Sequence, residues 1–376
     1  EHLDRALEID LAWPPETFLE RREHARALRG LEGALERTPD LLAALPEGHP
    51  FRLVVQAPAR FSDAIDPDGA HGIRLARLFG LWTTGGAVLP DGYATLRTAL
   101  ITSIRAHGGE VRERERVDAI TIRRGAVEGV RIAASGEEIG AGWVLAGTDV
   151  ATLLRLVPDR RPMEELFEKT GEPTPRYYRY TLNVVVREHG VPVGLARDAF
   201  FVRDPQRPLS GANMLRVEAH PRTNDGDRLL VVEALLPRRG VEEAPDYVET
   251  IRDEVLATLG QLVPFLGDHL VLVDSPHDGR PPQSFAAGLE VTAPKWDRGP
   301  RTMEAISGFP ITGTFGLTAL PVRTPVKNLL LASREVVPGL GMEGELLAAM
   351  SAARIVSRAD PGRAQLLRRP FGNFGR

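Results

Sequence analysis

Residues 328–356 constrain the fold more than any other stretch. Asn328 leads into Leu329, Leu330, Leu331 and Ala332. Residues 333–338 follow as a short loop, then Gly339, Gly341 and Gly344 form a G-x-G-x-x-G run, and residues 345–356 read as an alanine-rich helix. A buried strand, a turn and a helix are predicted in that order. Glycines at such a turn let backbone N–H groups approach a ligand at a helix N-terminus, where the dipole favours negative charge. A glycine turn that only caps an ordinary helix gives the same pattern. The usual dinucleotide fingerprint needs a complete βαβ unit with an acidic residue on its next strand. Residues 357–376 are instead rich in Arg, Pro and Gly and lack a strand pattern, so this strand–loop–helix is expected to close a domain.

The 376 residues suffice for two domains, and 43% hydrophobic with 26% charged residues is the balance of a globular protein. A net charge of −4 gives no electrostatic reason to expect nucleic acid as a partner. Basic residues are almost all Arg, with lysine only at 169, 295 and 327, which reads as composition bias. The absence of cysteine excludes disulfides, thiolate metal sites and cysteine nucleophiles. No apolar run is long enough to cross a bilayer and no signal peptide is visible, so a cytoplasmic protein is expected, peripheral to a membrane if it touches one.

Residues 16–45 have a helical pattern with Leu28, Leu31 and Leu35 in one stripe. A second helix after Gly69 carries Leu75, Leu78, Phe79 and Trp82, which suit a packed face and equally a membrane surface. A turn-rich stretch leads into a helix over 94–107. Strands are predicted at 110–114, 117–123 and 127–133, with one or two more in 137–146, joined by Gly-containing turns as a β-meander. Further strands are predicted at 180–187, 199–203, 214–219, 229–236 and 270–274, with an amphipathic helix over 245–266 and a Pro/Gly-rich loop over 276–326.

Three pieces together carry a resemblance. The first is Gly86 to Tyr93, the helix with Leu96, Arg97 and Leu100, and then His107, Gly108, Gly109, Glu110 and Val111. The second is Val117, Asp118, Ala119 and Ile120, followed by Gly125, Val127, Gly129 and Val130. The third is Leu329 to Ala353, an apolar strand, Pro-Gly-x-Gly, x-x-Gly and paired alanines. In order and spacing they resemble the phytoene desaturase-like branch of FAD-dependent oxidoreductases, which includes carotenoid desaturases, carotenoid isomerases and retinol saturases. The resemblance implies a mixed α/β, two-domain fold of the amine oxidase and phytoene desaturase kind. It assigns 1–85 and 151–310 to a substrate domain, 86–150 and 311–360 to an FAD-binding domain, and 361–376 to a tail. The family's first element, which holds the ADP part of FAD, has no counterpart before residue 16. The chain is therefore expected to be truncated at its N-terminus, a fragment or one half of a split protein.

By the same resemblance the cofactor is FAD. Val117 would lie under the adenine, Thr148 and Asp149 would form a turn near the cofactor, and Gly341, Met342, Glu343 and Gly344 would lie against the isoalloxazine and ribityl chain. Two of these residues also have plainer readings: Val117 as an ordinary strand valine and Asp149 as a strand-end turn residue. Ser333 and Arg334 stand where many members have Gly followed by Ala or Asp, and Glu343 replaces a frequent Pro. A carboxylate in the first turn suits the helix dipole but repels a phosphate. No catalytic residue is assigned, and the scattered histidines lack metal-ligand spacing. Phe61, Leu78, Phe79, Trp82, Tyr177, Tyr178, Phe200, Phe201, Phe285 and Trp296 fall in the segments where the family builds its substrate cavity. As a group they suggest a lipophilic small-molecule substrate, a long isoprenoid or lipid, hydrogenated or dehydrogenated across carbon–carbon bonds. Amine oxidation, non-redox isomerisation and a cofactor-free binding module stay open.

Overall fold

The computed structural model of the 376-residue chain describes residues 2–30, 42, 45–61, 72–85, 89, 92–170, 174–244, 246–292, 295, 297–308, 311 and 313–359. Helices α1 (His2–Glu8), α2 (Phe18–Ala27), α3 (Pro50–Phe61), α4 (Gly72–Thr84) and α5 (Tyr93–Ala106) come first. Strands β1 (Val117–Arg123), β2 (Ala126–Ile132), β3 (Glu138–Gly140) and β4 (Val144–Ala146) follow, then α6 (Val150–Leu156) and α7 (Arg161–Thr170). Next come β5 (Pro175–Arg187), β6 (Asp198–Val202), β7 (Met214–Ala219), β8 (Asp227–Pro237), α8 (Arg238–Glu243), α9 (Tyr247–Leu262), α10 (Leu266–His269) and β9 (Leu270–Asp274). The chain ends with β10 (Gln283–Ser284), β11 (Glu304–Ser307), β12 (Leu329–Leu331) and α11 (Met342–Ala359).

The chain forms two compact units and enters each more than once: Glu1–Leu41, Ala70–Glu172 and Phe309–Arg376 make the first, Leu42–Gly69 and Pro173–Gly308 the second. This places α1, α2 and α4 in the first unit, whereas the sequence reading grouped 1–85 with the second.

In the first unit, β1, β2 and β3 form an antiparallel meander. Its first turn is tight because Arg124 and Gly125 both take positive φ, 52° and 76°, the conformation a two-residue hairpin requires. β12 pairs in parallel with β4, Leu329 beside Val144 and Leu331 beside Ala146. All three β12 leucines are buried, as parallel strands demand. Leu347, Ala348, Ala352 and Ile355 of α11 pack into the same core as Ile120, Val127, Val150 and Leu153. The strand predicted at 110–114 does not form. Those residues are exposed apart from half-buried Val111, and Arg112 pairs with Glu115 and Glu137 instead of joining a ladder. The helix predicted over 16–45 ends at Ala27 in the described residues; Leu28 is buried, and Leu31 and Leu35 lie outside them.

The second unit is an antiparallel sheet in the order β10-β9-β5-β8-β7-β6, with β11 also on β5. Alternation sets its faces. Tyr180, Leu182, Val184 and Val186 of β5 point to one side, where Val248, Ile251, Val255 and Leu259 of α9 cover them. On the opposite face Ala57 and Phe61 of α3 pack on Met214 and Leu235. The 276–326 stretch read as loop contributes β10 and β11, two- and four-residue strands too short to show a period.

Candidate functional site

Parallel strands present ligand sites at their carboxyl ends, and both loops singled out in the sequence leave β4 and β12 at that end. After β4 the chain turns through Gly147, Thr148 and Asp149 into α6. Asp149 is the helix cap: its Oδ1 accepts from the Thr152 amide at 2.7 Å and its Oδ2 from the Thr152 hydroxyl at 2.9 Å. The plainer reading of Asp149 therefore accounts for its carboxylate. Thr148 differs, since its Oγ1 is buried and has no hydrogen-bond partner among the described residues. A buried hydroxyl without a partner is uncommon, because desolvation goes uncompensated.

After β12 the backbone is pinned along another segment. The Leu320 amide donates to the Glu335 carbonyl at 3.2 Å, Ala319 to Val336 at 3.0 Å, and Gly339 to Leu317 at 2.9 Å. The Glu335 side chain turns the other way, and its Oε2 accepts from the Val150 amide at 2.7 Å, 185 positions away in sequence. The two loops are thus tied by a buried carboxyl group. Burial pushes the Glu335 carboxyl above the ordinary range and the charge of Asp149 adds to this, while the Val150 hydrogen bond and Arg334 oppose it.

The three glycines serve the turn itself. A Cβ on Gly339 would meet the Leu317 Cα at 2.6 Å, and one on Gly344 would meet the Val337 carbonyl oxygen at 1.9 Å. Gly341 takes φ 56° and ψ −130°, a conformation open to glycine alone among residues of ordinary strain. Met342 begins α11, and the first intrahelical bond is Glu345 N–H to the Gly341 carbonyl at 3.3 Å. The amides of Met342, Glu343 and Gly344 precede it, so the helix gives them no acceptor of its own.

Sequence reasoning missed what holds this helix start. Arg77 of α4 grips the Glu343 carboxylate with both terminal nitrogens, one at 2.9 Å, and donates through Nε to Asp4 at 2.8 Å. Burial favours losing the Arg77 proton, but the bonds from Glu343 and Asp4 outweigh it and keep the guanidinium firmly charged. The Glu343 carboxylate expected to repel a phosphate is therefore paired with a guanidinium that it shares with Asp4. One helical turn earlier, buried Arg74 donates Nε–H to the Gly339 carbonyl at 3.2 Å, and burial lowers its pKa to about 10. Arg74 and Arg77 stand at i and i+3, a spacing that presents both to one neighbour. That spacing was the only sequence signal.

Val117 opens β1 on the meander, half-buried and paired with Ile132. It sits in a different sheet from β4 and β12. The bond from Val127 N–H to the Lys327 carbonyl, 3.1 Å, joins the meander to the lead-in of β12.

The aromatic residues are divided between the two units. Phe61 and Phe200 stack tilted at 5.6 Å, with Tyr177 packed beside them. Tyr178 packs against the core on the α9 side of the sheet. Leu78 and Phe79 are half-buried and Trp82 is exposed on α4 in the first unit, Phe285 is largely exposed, and Trp296 lies outside the described residues. Beside the Phe61 cluster the sheet face is charged. Glu233 pairs with Arg179 at 3.3 Å and Arg216 at 2.8 Å, Arg216 pairs with Asp198 at 3.0 Å, and Arg179 pairs with Glu304 at 3.1 Å.

No family model matches the sequence, and neither does any curated protein. Solved structures do resemble it. An oxidoreductase from Methanosarcina mazei, 16% identical, aligns over 91% of this chain and 73% of its own with a TM-score of 0.54. Cyclohexylamine oxidase from Brevibacterium oxydans IH-35A, 12% identical, aligns over 92% and 76% with a TM-score of 0.48. Putrescine oxidase bound to putrescine, 14% identical, aligns over 92% and 77% with a TM-score of 0.43. The first likeness defines the fold: a mixed α/β oxidoreductase fold of two units. No helix among the described residues is long and apolar enough to cross a membrane.

An FAD group finds suitable chemistry at the two loops. The unpartnered Thr148 hydroxyl and the leading amides of α11 are neutral polar groups of the kind that meet flavin carbonyls and ribityl hydroxyls, and Arg77 pairs with the Glu343 carboxylate beside them.

Proposed function

We propose that this chain is an FAD-dependent oxidoreductase whose cofactor lies at the carboxyl ends of β4 and β12. The reading rests on one observation above all: a parallel strand pair ends in two loops joined through Glu335, one bearing an unpartnered buried hydroxyl and the other a glycine turn opening a helix. Thr148, Gly341, Met342, Glu343 and Gly344 are its proposed cofactor contacts, and Val117 belongs to the adenine side by resemblance alone. FAD would supply the acceptor for hydrogen removed from substrate; the chain supplies position and shelter from water.

The substrate we favour is lipophilic, with hydrogen removed or added across a carbon–carbon bond. The support is the apolar cluster of Phe61, Phe200, Tyr177, Leu209, Met214 and Leu235 in the second unit. Amine oxidation is the second reading, favoured by the carboxylates of Asp198, Glu233 and Glu304 on the neighbouring sheet face. Titrating the protein with FAD and following flavin fluorescence tests the cofactor. Incubating the loaded protein with polyene precursors and with simple amines tests the substrate. A change in polyene absorbance supports the lipophilic reading, whereas amine-dependent hydrogen peroxide release replaces it. Failure of this chain to take up FAD favours the cofactor-free binding module.

A further inference from the structure

Glu335 is 4% exposed, in a loop where its neighbour Arg334 is open to solvent. A buried carboxyl group carries a desolvation cost that an apolar residue avoids. Its main chain is already held by the Leu320 amide, and its own amide reaches the Ser333 hydroxyl at 3.4 Å, so the side chain is not needed to shape its own turn. The carboxyl group instead crosses to the first residue of α6. That helix already has its cap in Asp149, which serves Thr152 and leaves the Val150 amide for Glu335. The bond therefore fixes the start of α6, and with it the preceding Thr148, against the loop that runs on to Gly341. Strand pairing alone does not do this: the β4–β12 register ends at Ala146 and Leu331, and the last bond across it is Ala332 N–H to the Ala146 carbonyl at 2.8 Å. Beyond that point Glu335 is the described cross-link between the two loops.

We infer that Glu335 is a positioning residue for the flavin site, its carboxyl group holding the Thr148 turn in register with the glycine turn so that both meet one ligand. The inference rests on the FAD reading above. It assigns a role to a residue that no glycine motif marks and that touches the ligand only through its neighbours.

Three variants test it, each measured for FAD affinity by fluorescence titration and for amide exchange over 147–153 and 332–341. Glu335→Ala should weaken FAD binding by up to about tenfold and raise exchange in both loops. Glu335→Gln keeps an acceptor for Val150 and should restore both to within about twofold of wild type, given that one hydrogen bond substitutes for another. Glu335→Ala combined with Thr148→Val should bind FAD no more weakly than Thr148→Val alone, because the tie acts through that turn. A role confined to folding would instead add its loss in both backgrounds. If FAD binds and Glu335→Ala leaves its affinity unchanged, the inference is overturned while the flavin reading stands. If wild type takes up no FAD, the flavin reading loses its support in this chain, and the tie between the loops is judged by exchange alone: unchanged exchange in Glu335→Ala overturns it, and loss of protection in both loops sustains it.

Discussion

A Cβ placed on Gly344 would stand 1.9 Å from the carbonyl oxygen of Val337. The last glycine of the run thus owes its identity to the close crossing of α11 over the loop before it. Neither partner can yield easily, since one is helix backbone and the other is buried. Gly344→Ala should cost about 3 kcal/mol or more, at the upper end of overpacking, with or without FAD. A denaturant melt of the flavin-free protein measures it, and a midpoint equal to wild type would refute the crossing.

Arg252 and Asp278 make the second unit's most deeply buried ion pair among the described residues. Arg252 Nε and Nη2 reach the two carboxylate oxygens at 2.7 Å each, and the Tyr180 hydroxyl donates to Asp278 at 2.8 Å. Arg252 also holds the carbonyls of Pro281 and Arg280, so the pair anchors the loop after β9 onto α9 and β5. Removing one partner strands the other charge in the interior. Arg252→Met alone should cost about 3–5 kcal/mol, whereas Arg252→Met with Asp278→Leu should recover much of it. Tyr180→Phe should cost roughly 1 kcal/mol. Urea unfolding of the three variants checks the ordering, and a double variant less stable than Arg252→Met would contradict it.

Regular elements with their own period were legible in the sequence. β1, β7 and β9 fall where alternation between turn residues placed them, and α9 buries the face its spacing picked out. The alternating charges of 110–114 imitated a strand, but alternation without a partner or an apolar face stabilises nothing. The glycine run was visible, yet its reasons were not: the clashes at Gly339 and Gly344 are with Leu317 and Val337, which no local pattern names. The ties that shape the candidate site are longer still. Glu335 to Val150 spans 185 positions and Arg77 to Glu343 spans 266. Each is one side chain meeting one group brought near by strand pairing or helix packing, so it leaves no periodic trace.

Two buried carboxyl groups should titrate with opposite effects on stability. Burial alone would raise Glu20, but hydrogen bonds from Arg323, Thr17 and Glu16 pull it down to about 2 from 4.5. A depressed folded value contributes stability above the unfolded value, lost as pH falls from 4.5 through about 2. Glu335 is raised, so its contribution is full below the unfolded value of 4.5 and disappears as pH rises through the folded value. Melting temperatures from about pH 2 to pH 8 separate the two. Glu20→Gln should lose about 2 kcal/mol at neutral pH, discounted for solvent screening, and converge on wild type in acid. Glu335→Gln should gain on wild type as pH climbs above the ordinary carboxylate range. Parallel curves for either variant would count against its assigned shift.

Thr148→Val separates ligand chemistry from packing. Valine matches threonine in shape and removes only the hydroxyl, which is buried and makes no bond among the described residues. Deleting an unsatisfied buried polar group releases its desolvation cost, about 1 kcal/mol or more. The flavin-free variant should therefore melt at or above the wild-type temperature. If the hydroxyl meets FAD, the same change should weaken FAD binding about tenfold, the worth of one buried hydrogen bond to a polar ligand. Stability and affinity then move in opposite directions, which neither a packing role nor a general loosening of the loop would produce. Calorimetric melting and fluorescence titration on one preparation give both numbers. A variant that melts lower and binds FAD as tightly as wild type would show that the hydroxyl serves the fold.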